Sequence, residues 1–286
     1  MSNPTGSAGG KVGIVERLVF TESSDGLPLE GAMISPDGAQ SGLAILWIHG
    51  GMSRFCERHY IALGRRLATL GYLFLTGNTR GHDGFTIFWR GDDVVPGGSS
   101  FERFEESPQD ISAWVDLALQ TPCEGVVLAG HSLGASKVAY YQASQQDERV
   151  RGIIAASPPA GWQSNTERVA LADRMVRDGR GEELMPLLEG APKWNIVSAQ
   201  MIASREAVLR HAFDSDSEIP YIGRLRCPLL ITYGSDEEVV ASWLDTLRNN
   251  AGARVDTGIV QGAGHDYAGQ EAELADLLVG WIGSMG

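Results

Sequence analysis

Five consecutive residues, Gly130-His131-Ser132-Leu133-Gly134, constrain the fold of this chain more than any other segment. Residues 125–129 before them are an apolar run typical of a buried strand, and residues 135–145 after them are typical of a helix. A strand that passes directly into a helix needs a sharp turn, so only small residues fit two positions before and after the central serine. The segment therefore predicts a strand, a turn and a helix, with the hydroxyl of Ser132 held above the edge of a sheet.

Strand and helix patterns alternate along most of the chain, which indicates an α/β fold with a mostly parallel central sheet and helices on both faces. Apolar runs predict buried strands, and apolar residues at helical spacing predict helices. The predicted strands are residues 17–22, 31–35, 43–48, 72–75, 125–129, 153–156, 228–233 and 254–260. Helices are predicted over residues 60–70, 135–145 and 274–282, and from Ser107 onward with that serine as the N-cap.

Two segments do not fit this alternation. Residues 84–106 form a long connection that mixes aromatic and acidic residues, and residues 162–219 are charged and helix-prone. Long connections in compact domains are often functional lids, although either segment could be only a decorated surface loop. We predict a flexible N-terminal tail over residues 1–12, a core over 13–160 and 221–286, and a helical cap or lid over 161–220.

The charge and cysteine content limit the partners of the chain. A net charge of −13 argues against nucleic acid as a partner and favours neutral or cationic substrates over anionic ones. No apolar stretch reaches the length of a membrane span. The three cysteines are widely spaced, which suits free thiols in a reducing cytoplasm better than disulfides or a metal site. We expect a cytoplasmic protein that acts on a small molecule without cofactor, metal or membrane; the oligomeric state is left open.

The serine at the predicted turn needs a base to accept its proton and an acid to orient that base. On a turn of this kind the chain order is serine, acid, histidine. Of the six histidines, His211 falls in the predicted cap and four others precede or adjoin Ser132, which leaves His265 as the base. The acid is expected after the strand at residues 228–233, where Asp236, Glu237 and Glu238 are consecutive.

Acyl transfer also needs N–H donors for the oxyanion that forms on the carbonyl oxygen. One donor is expected to be the backbone N–H of Leu133, at the start of the helix after the turn. The other should come from the loop after the strand at residues 43–48, which contains Gly50 and Gly51. Small glycines let a backbone approach the substrate, so Gly51 is preferred and Met52 is the alternative. His49 is predicted to orient or pack, and not to act as a base.

Taken together and in order, these motifs resemble the α/β-hydrolase superfamily over nearly the whole chain. The motifs are His49-Gly50-Gly51, Asn78-Thr79-Arg80-Gly81-His82, Gly130 to Gly134, Gly234 with its acids, and Gly264-His265. The resemblance implies the α/β-hydrolase fold, and its pattern places the triad acid at Glu237, where aspartate is usual. Asp236 is the alternative by residue type. Residues 130–141 with Ser157-Pro158-Pro159 are also similar to siderophore-esterase-like members, which implies ester or lactone hydrolysis.

The sequence therefore favours a serine hydrolase that cleaves a carboxylic ester, lactone or thioester through an acyl-enzyme. Relatives that use a carboxylate nucleophile are excluded, because Ser132 occupies that position. Two alternatives stay open: a non-catalytic binding protein of the same fold, and a hydrolase that cleaves a C–C bond with the same triad.

Overall fold

An eight-stranded sheet forms the centre of the computed structural model, which describes residues 13–159, 164–187, 196–213, 220–238 and 241–285. The strands in chain order are β1 (Ile14–Glu22), β2 (Pro28–Pro36), β3 (Leu43–Ile48), β4 (Leu73–Gly77), β5 (Thr86–Arg90), β6 (Asp93–Gly97), β7 (Gly125–His131), β8 (Val150–Ala156), β9 (Leu229–Gly234) and β10 (Val255–Val260). The order across the sheet is β1-β2-β4-β3-β7-β8-β9-β10. β1 and β2 pair antiparallel, β2 also runs antiparallel to β4, and the other neighbours are parallel.

Helices cover both faces of this sheet. The helices in chain order are α1 (Arg58–Thr69), α2 (Ser107–Ala118), α3 (Leu133–Gln145), α4 (Thr166–Arg177), α5 (Ala199–Ala207), α6 (Arg210–Phe213), α7 (Ala241–Asn250) and α8 (Glu271–Gly283). Strand β3 shows how the two layers form, because its side chains alternate between two apolar clusters. Leu46 packs in the cluster that contains Trp114 of α2, whereas Ile45 packs in the cluster that contains Leu67 of α1 and Leu278 of α8. Burial on both faces explains why the central strands are continuous apolar runs in the sequence.

The predicted α/β architecture is confirmed, and each predicted strand is present with slightly different ends. The parallel strands direct their carboxyl ends to one edge of the sheet, where β3, β7, β8, β9 and β10 all end. In sheets of this kind, ligands bind at that edge. The candidate residues of the sequence analysis follow these strand ends.

Two local predictions differ from the structure. Residues 84–106, predicted as an irregular connection, contain the hairpin β5–β6, whose turn includes Gly91 at a φ of 62°. Ser107 does not cap α2 by accepting an N–H, because its hydroxyl donates to the carbonyl of Phe104 at 2.7 Å and the N-cap position is Glu106. A short 3₁₀ turn before α2 therefore replaces the expected cap.

The segment predicted as a cap contains α4, α5 and α6, all between β8 and β9. The division into core and cap stays a prediction. The proposed tail, residues 1–12, lies outside the described residues, as do parts of the predicted cap. Within the ranges that the structure describes, no helix combines the length and the apolar character needed to cross a membrane.

Candidate active site

Ser132 lies at a strained turn between β7 and α3. Its backbone has a φ of 51° and a ψ of −122°, a region that L-residues rarely adopt. A Cβ at Gly130 would lie 2.3 Å from the carbonyl oxygen of Gly134, and a Cβ at Gly134 would lie 2.4 Å from the carbonyl oxygen of Ile48. The two glycines of the motif are therefore required by close backbone contact on both sides of the serine.

His265 lies in the loop after β10 and is hydrogen-bonded to Glu237. Its Nδ1 donates to Oε2 of Glu237 at 2.8 Å. The other carboxylate oxygen of Glu237 accepts hydrogen bonds from the hydroxyl of Ser157 at 2.6 Å and from the N–H of Gly234 at 2.8 Å. Because Nδ1 carries the proton that Glu237 accepts, Nε2 of a neutral His265 is free to act as an acceptor.

The electrostatics of this pair follow from the same contacts. Burial would raise the pKa of Glu237, but hydrogen bonds from His265, Ser157 and the Gly234 N–H outweigh it and lower that pKa below 4.5. The hydrogen bond to Glu237 raises the pKa of His265 above 6.5, against the opposing effect of burial. Each partner therefore stabilises the charged form of the other.

Asp236, the alternative acid, lies differently. Its side chain is exposed and accepts a hydrogen bond from the hydroxyl of Ser235 at 3.2 Å. Among the described residues, the carboxylate that contacts His265 is that of Glu237.

A chain of hydrogen bonds joins the His265 loop to the neighbour of Ser132 in sequence. The carbonyl of His265 accepts from Nε2 of His131 at 2.8 Å, so that nitrogen carries the proton. Burial lowers the pKa of His131 to about 4, so the ring is neutral and its Nδ1 accepts from the hydroxyl of Tyr60 at 2.8 Å. Tyr60 in turn accepts the N–H of Gly50 at 3.3 Å. These contacts hold the His265 loop and the loop after β3 on either side of Ser132.

The two residues expected to supply the oxyanion donors lie next to each other. A Cβ at Gly51 would lie 2.7 Å from Cδ1 of Leu133, so the two residues are in direct contact. Leu133 is the first residue of α3, where a helix has no internal acceptor for the N–H. The N–H of Met52 already donates to the hydroxyl of Ser99 at 2.7 Å, which favours Gly51 over Met52 as the second donor.

His49 is enclosed beneath this loop and links it to a buried network. Its Nδ1 donates to the carbonyl of Gly50 at 2.7 Å, and its Nε2 accepts the N–H of Thr79 at 3.0 Å. Burial and the positive charge of Lys137 hold the pKa of His49 well below 6.5. The Thr79 hydroxyl accepts from Lys137 at 3.1 Å, and Lys137 lies 2.6 Å from the carboxylate of Glu102. His49 is therefore a neutral structural contact of the loop.

One cluster of side chains of the kinds that bind metal ions occurs among the described residues. Atoms of His131, His265 and Asp266 lie within 4.8 Å of one another. Nε2 of His131 is occupied by the His265 carbonyl, so this nitrogen offers no lone pair to an ion. The group is part of the candidate site, and the expected absence of a metal stays a prediction.

The structure adds residues for which the sequence analysis gave no role. Ser157 directly follows β8 and donates to Glu237, while Tyr60 and His131 connect the loops. Ser157 could have been found from the sequence, because it directly follows a predicted central strand, where site residues lie in this fold. Tyr60 had no such signal, because its helical spacing predicts only a core residue.

The family model of the alpha/beta hydrolase family matches residues 45–277, and the chain belongs to this family. Est1E from Butyrivibrio proteoclasticus, solved with ferulic acid bound, is 17% identical with a TM-score of 0.66 over 93% of this chain and 99% of that chain. A thermostable carboxyl esterase from Bacillus coagulans, in complex with glycerol, is 13% identical with a TM-score of 0.72 over 94% and 98%. An esterase from Exiguobacterium antarcticum is 17% identical with a TM-score of 0.59 over 92% and 98%. No curated protein matches the sequence.

The family membership and the α/β-hydrolase fold are thus confirmed. The predicted residues Ser132, His265, Glu237, Gly51 and Leu133 follow the carboxyl ends of four strands of one sheet. The narrower likeness to siderophore-esterase-like proteins stays a prediction.

Proposed function

We propose that this α/β hydrolase is a serine hydrolase that cleaves a carboxylic ester, lactone or thioester through an acyl-enzyme. In this mechanism Ser132 is the nucleophile, His265 the general base and Glu237 the acid that orients the base. The observation that carries the proposal is the 2.8 Å hydrogen bond between His265 and Glu237, in a loop anchored to the residue beside Ser132.

The proposed chemistry uses these groups in order. Nε2 of His265 accepts the proton of the Ser132 hydroxyl while the oxygen attacks the substrate carbonyl. The N–H groups of Gly51 and Leu133 stabilise the oxyanion, and loss of one such donor typically costs about 3–4 kcal/mol of transition-state stabilisation. His265 then protonates the leaving group, and a water molecule attacks the acyl-enzyme by the same route.

The structural neighbours support ester substrates, because several are named as esterases. We also propose a cytoplasmic location, in keeping with Cys56, Cys123 and Cys227, which are all free thiols.

A fluorophosphonate label and a p-nitrophenyl acetate assay test the proposal. We expect labelling of the wild-type protein at Ser132 and release of p-nitrophenol, with both lost in Ser132→Ala and release lost in His265→Ala. Ser144→Ala is the matched control, because this hydroxyl lies on the same helix and donates to the carbonyl of Tyr140.

A folded wild-type protein that is neither labelled nor active on any activated ester would contradict the proposal. That result would favour the non-catalytic binding protein. Cleavage of a β-diketone but not of esters would favour the C–C hydrolase.

A further inference from the structure

A small cavity of about 120 Å³ opens beside Gly51 and Leu133, the two residues proposed to supply the oxyanion donors. A larger groove of about 590 Å³ continues from this cavity. The two spaces share the lining residues Met52, Gly84, Ser100 and Ile196. A substrate whose carbonyl oxygen reaches the donors can therefore extend through the cavity into the groove.

The wall of the groove is apolar although it faces solvent. Four large apolar side chains that are exposed converge on it, those of Met52, Phe85, Leu184 and Ile196. The ring of Phe85 also packs edge to face against that of Phe101, with centroids 5.6 Å apart. Exposed apolar groups that share one concave surface lose contact with water when a ligand covers them, so a patch of this kind beside a candidate active site indicates a binding groove.

The hydroxyl groups at the junction of the two spaces already have hydrogen-bond partners. The hydroxyl of Ser99 accepts the N–H of Met52 at 2.7 Å and donates to the carbonyl of Gly81 at 3.0 Å. The hydroxyl of Ser100 donates to the carbonyl of Ile196 at 2.5 Å. These hydrogen bonds hold the walls together without a ligand, and they leave an apolar surface for one.

Arg205 of α5 also lines the cavity, and its charge has a counterpart within the protein. Burial, and after it the positive charge of Arg168, lower the pKa of Arg205, whereas the carboxylate of neighbouring Glu206 raises it. A guanidinium stays protonated in proteins, so this carboxylate offsets its charge. The cavity therefore does not require an anionic ligand.

The position of His265 decides which part of an ester would occupy the groove. His265 protonates the leaving alcohol, so the alcohol oxygen must come within hydrogen-bond distance of the imidazole. Among the described residues that line the cavity or the groove, none belongs to the loops after β9 and β10, which carry Glu237 and His265. The groove thus extends from the oxyanion donors and not from the base. The part of the ester that can extend there is the acyl group.

We infer that the substrate is an ester with a small alcohol group and a long apolar acyl group, and that the acyl group lies in the groove. This inference rests on the proposed function and names the class of substrate for the same site. Phe85, Phe101 and Ile196 contact the acyl group, and Gly84, which has no side chain, leaves the passage from cavity to groove open. Each CH₂ group that the groove removes from water should raise kcat/KM by up to about fourfold.

Isomeric esters test the inference, because the two members of a pair contain the same atoms and are almost equally apolar. Ethyl octanoate carries its long chain on the acyl side, and octyl acetate carries it on the alcohol side. We expect kcat/KM to favour ethyl octanoate by about tenfold or more. The preference should be smaller within the shorter pair of ethyl butanoate and butyl acetate. Titration of the released acid at constant pH measures all four rates.

Three variants locate the acyl group. A Cβ at Gly84 would meet Cε of Met52 at 3.6 Å, an ordinary van der Waals contact, so Gly84→Leu fits and narrows the passage. This variant should bring the preference for ethyl octanoate close to one, and Phe85→Ala should reduce it several-fold. Trp89→Ala is the matched control, because it removes a similarly exposed aromatic side chain that lines neither space, and it should leave the preference unchanged. Circular dichroism checks that each variant is folded.

Equal kcat/KM within the longer pair, or a preference for octyl acetate, would overturn the inference while esters are still hydrolysed. A preference that folded Gly84→Leu and Phe85→Ala both retain in full would also overturn it, because the acyl group would then lie elsewhere. Failure to label Ser132 or to hydrolyse any ester would instead overturn the proposed function.

Discussion

Two buried cations, Lys137 and Arg168, differ in their partners within the part of the chain that the structure describes. Lys137 of α3 is fully buried and lies 2.6 Å from the carboxylate of Glu102. Arg168 of α4 is almost as deeply buried, yet two of its guanidinium nitrogens have no hydrogen-bond partner among the described residues. The first arrangement stabilises the fold around the loops of the site. The second leaves buried guanidinium nitrogens without a hydrogen bond, which costs stability.

The largest expected effect concerns another paired charge, Glu237. Both carboxylate oxygens of Glu237 accept hydrogen bonds, one of them from Nδ1 of His265. Glu237→Gln leaves one acceptor oxygen and removes the negative charge, so the proton on Nδ1 of His265 is no longer fixed and kcat should fall by about 10³-fold or more. The measurement is steady-state hydrolysis of p-nitrophenyl acetate. Asp236→Asn is the matched control and should stay near wild-type activity. If Asp236→Asn is the variant that loses activity, then Asp236 is the acid.

Breaking the buried pair should have the next largest effect. Lys137→Met leaves Glu102 buried without its partner, which should lower the free energy of unfolding by about 3–5 kcal/mol in urea titrations. Burial raises the pKa of Glu102, so the variant should be least destabilised at low pH, where the carboxyl takes up a proton, and should lose stability as pH rises.

The control for this variant is Arg248→Met, which breaks an exposed pair with Asp245 and should leave stability nearly unchanged. Adding Glu102→Gln to Lys137→Met should recover part of the loss. A loss no greater than that of Arg248→Met would show that the buried pair contributes little.

The pair between His265 and Glu237 should separate the pH of greatest activity from the pH at which the pair contributes most to stability. His265 must be neutral to act as a base, and its pKa is raised above 6.5, so kcat/KM should rise with pH with a midpoint above that value. Glu237→Gln should move this midpoint to lower pH. A midpoint that does not move would argue against this pairing.

The contribution of the pair to the free energy of unfolding depends on pH differently from the activity. For His265, whose pKa is raised on folding, it is fully present below pH 6.5 and is lost as pH rises through the raised value. For Glu237, whose pKa is lowered, it is present above pH 4.5 and is lost as pH falls through the lowered value. The pair therefore stabilises the protein most between about pH 4.5 and pH 6.5, which urea titrations across pH would measure.

The smallest expected effect sharpens the comparison between the two buried cations. Arg168→Met should leave the free energy of unfolding within about 1 kcal/mol of wild type or raise it, because it removes two buried guanidinium nitrogens that have no hydrogen-bond partner among the described residues. Lys137→Met serves as its reference in the same urea titrations. A loss of stability as large as that of Lys137→Met would mean that Arg168 has a stabilising partner within the protein. The two buried cations would then not differ.

Much of the fold could be predicted from the sequence, because strands buried on both faces are continuous apolar runs. The runs at β3, β7 and β9 are examples. The hairpin β5–β6 was missed, since most of its side chains are exposed and give no such pattern. The predicted N-cap at Ser107 was wrong, because the Ser107 hydroxyl donates to the carbonyl of Phe104. Phe104 belongs to a 3₁₀ turn before α2 that the sequence did not reveal.

The sequence alone determined the order of the candidate groups, with Ser132 at a turn that only glycines on both sides permit and His265 near the end of the chain. Those are properties of local spacing and steric size. Only the tertiary structure decided which of two adjacent acids contacts His265, because a one-residue difference directs the carboxylates to different neighbours. It also decided where charge is compensated: Glu102, the partner of Lys137, comes from a distant segment, whereas two buried nitrogens of Arg168 meet no hydrogen-bond partner among the described residues.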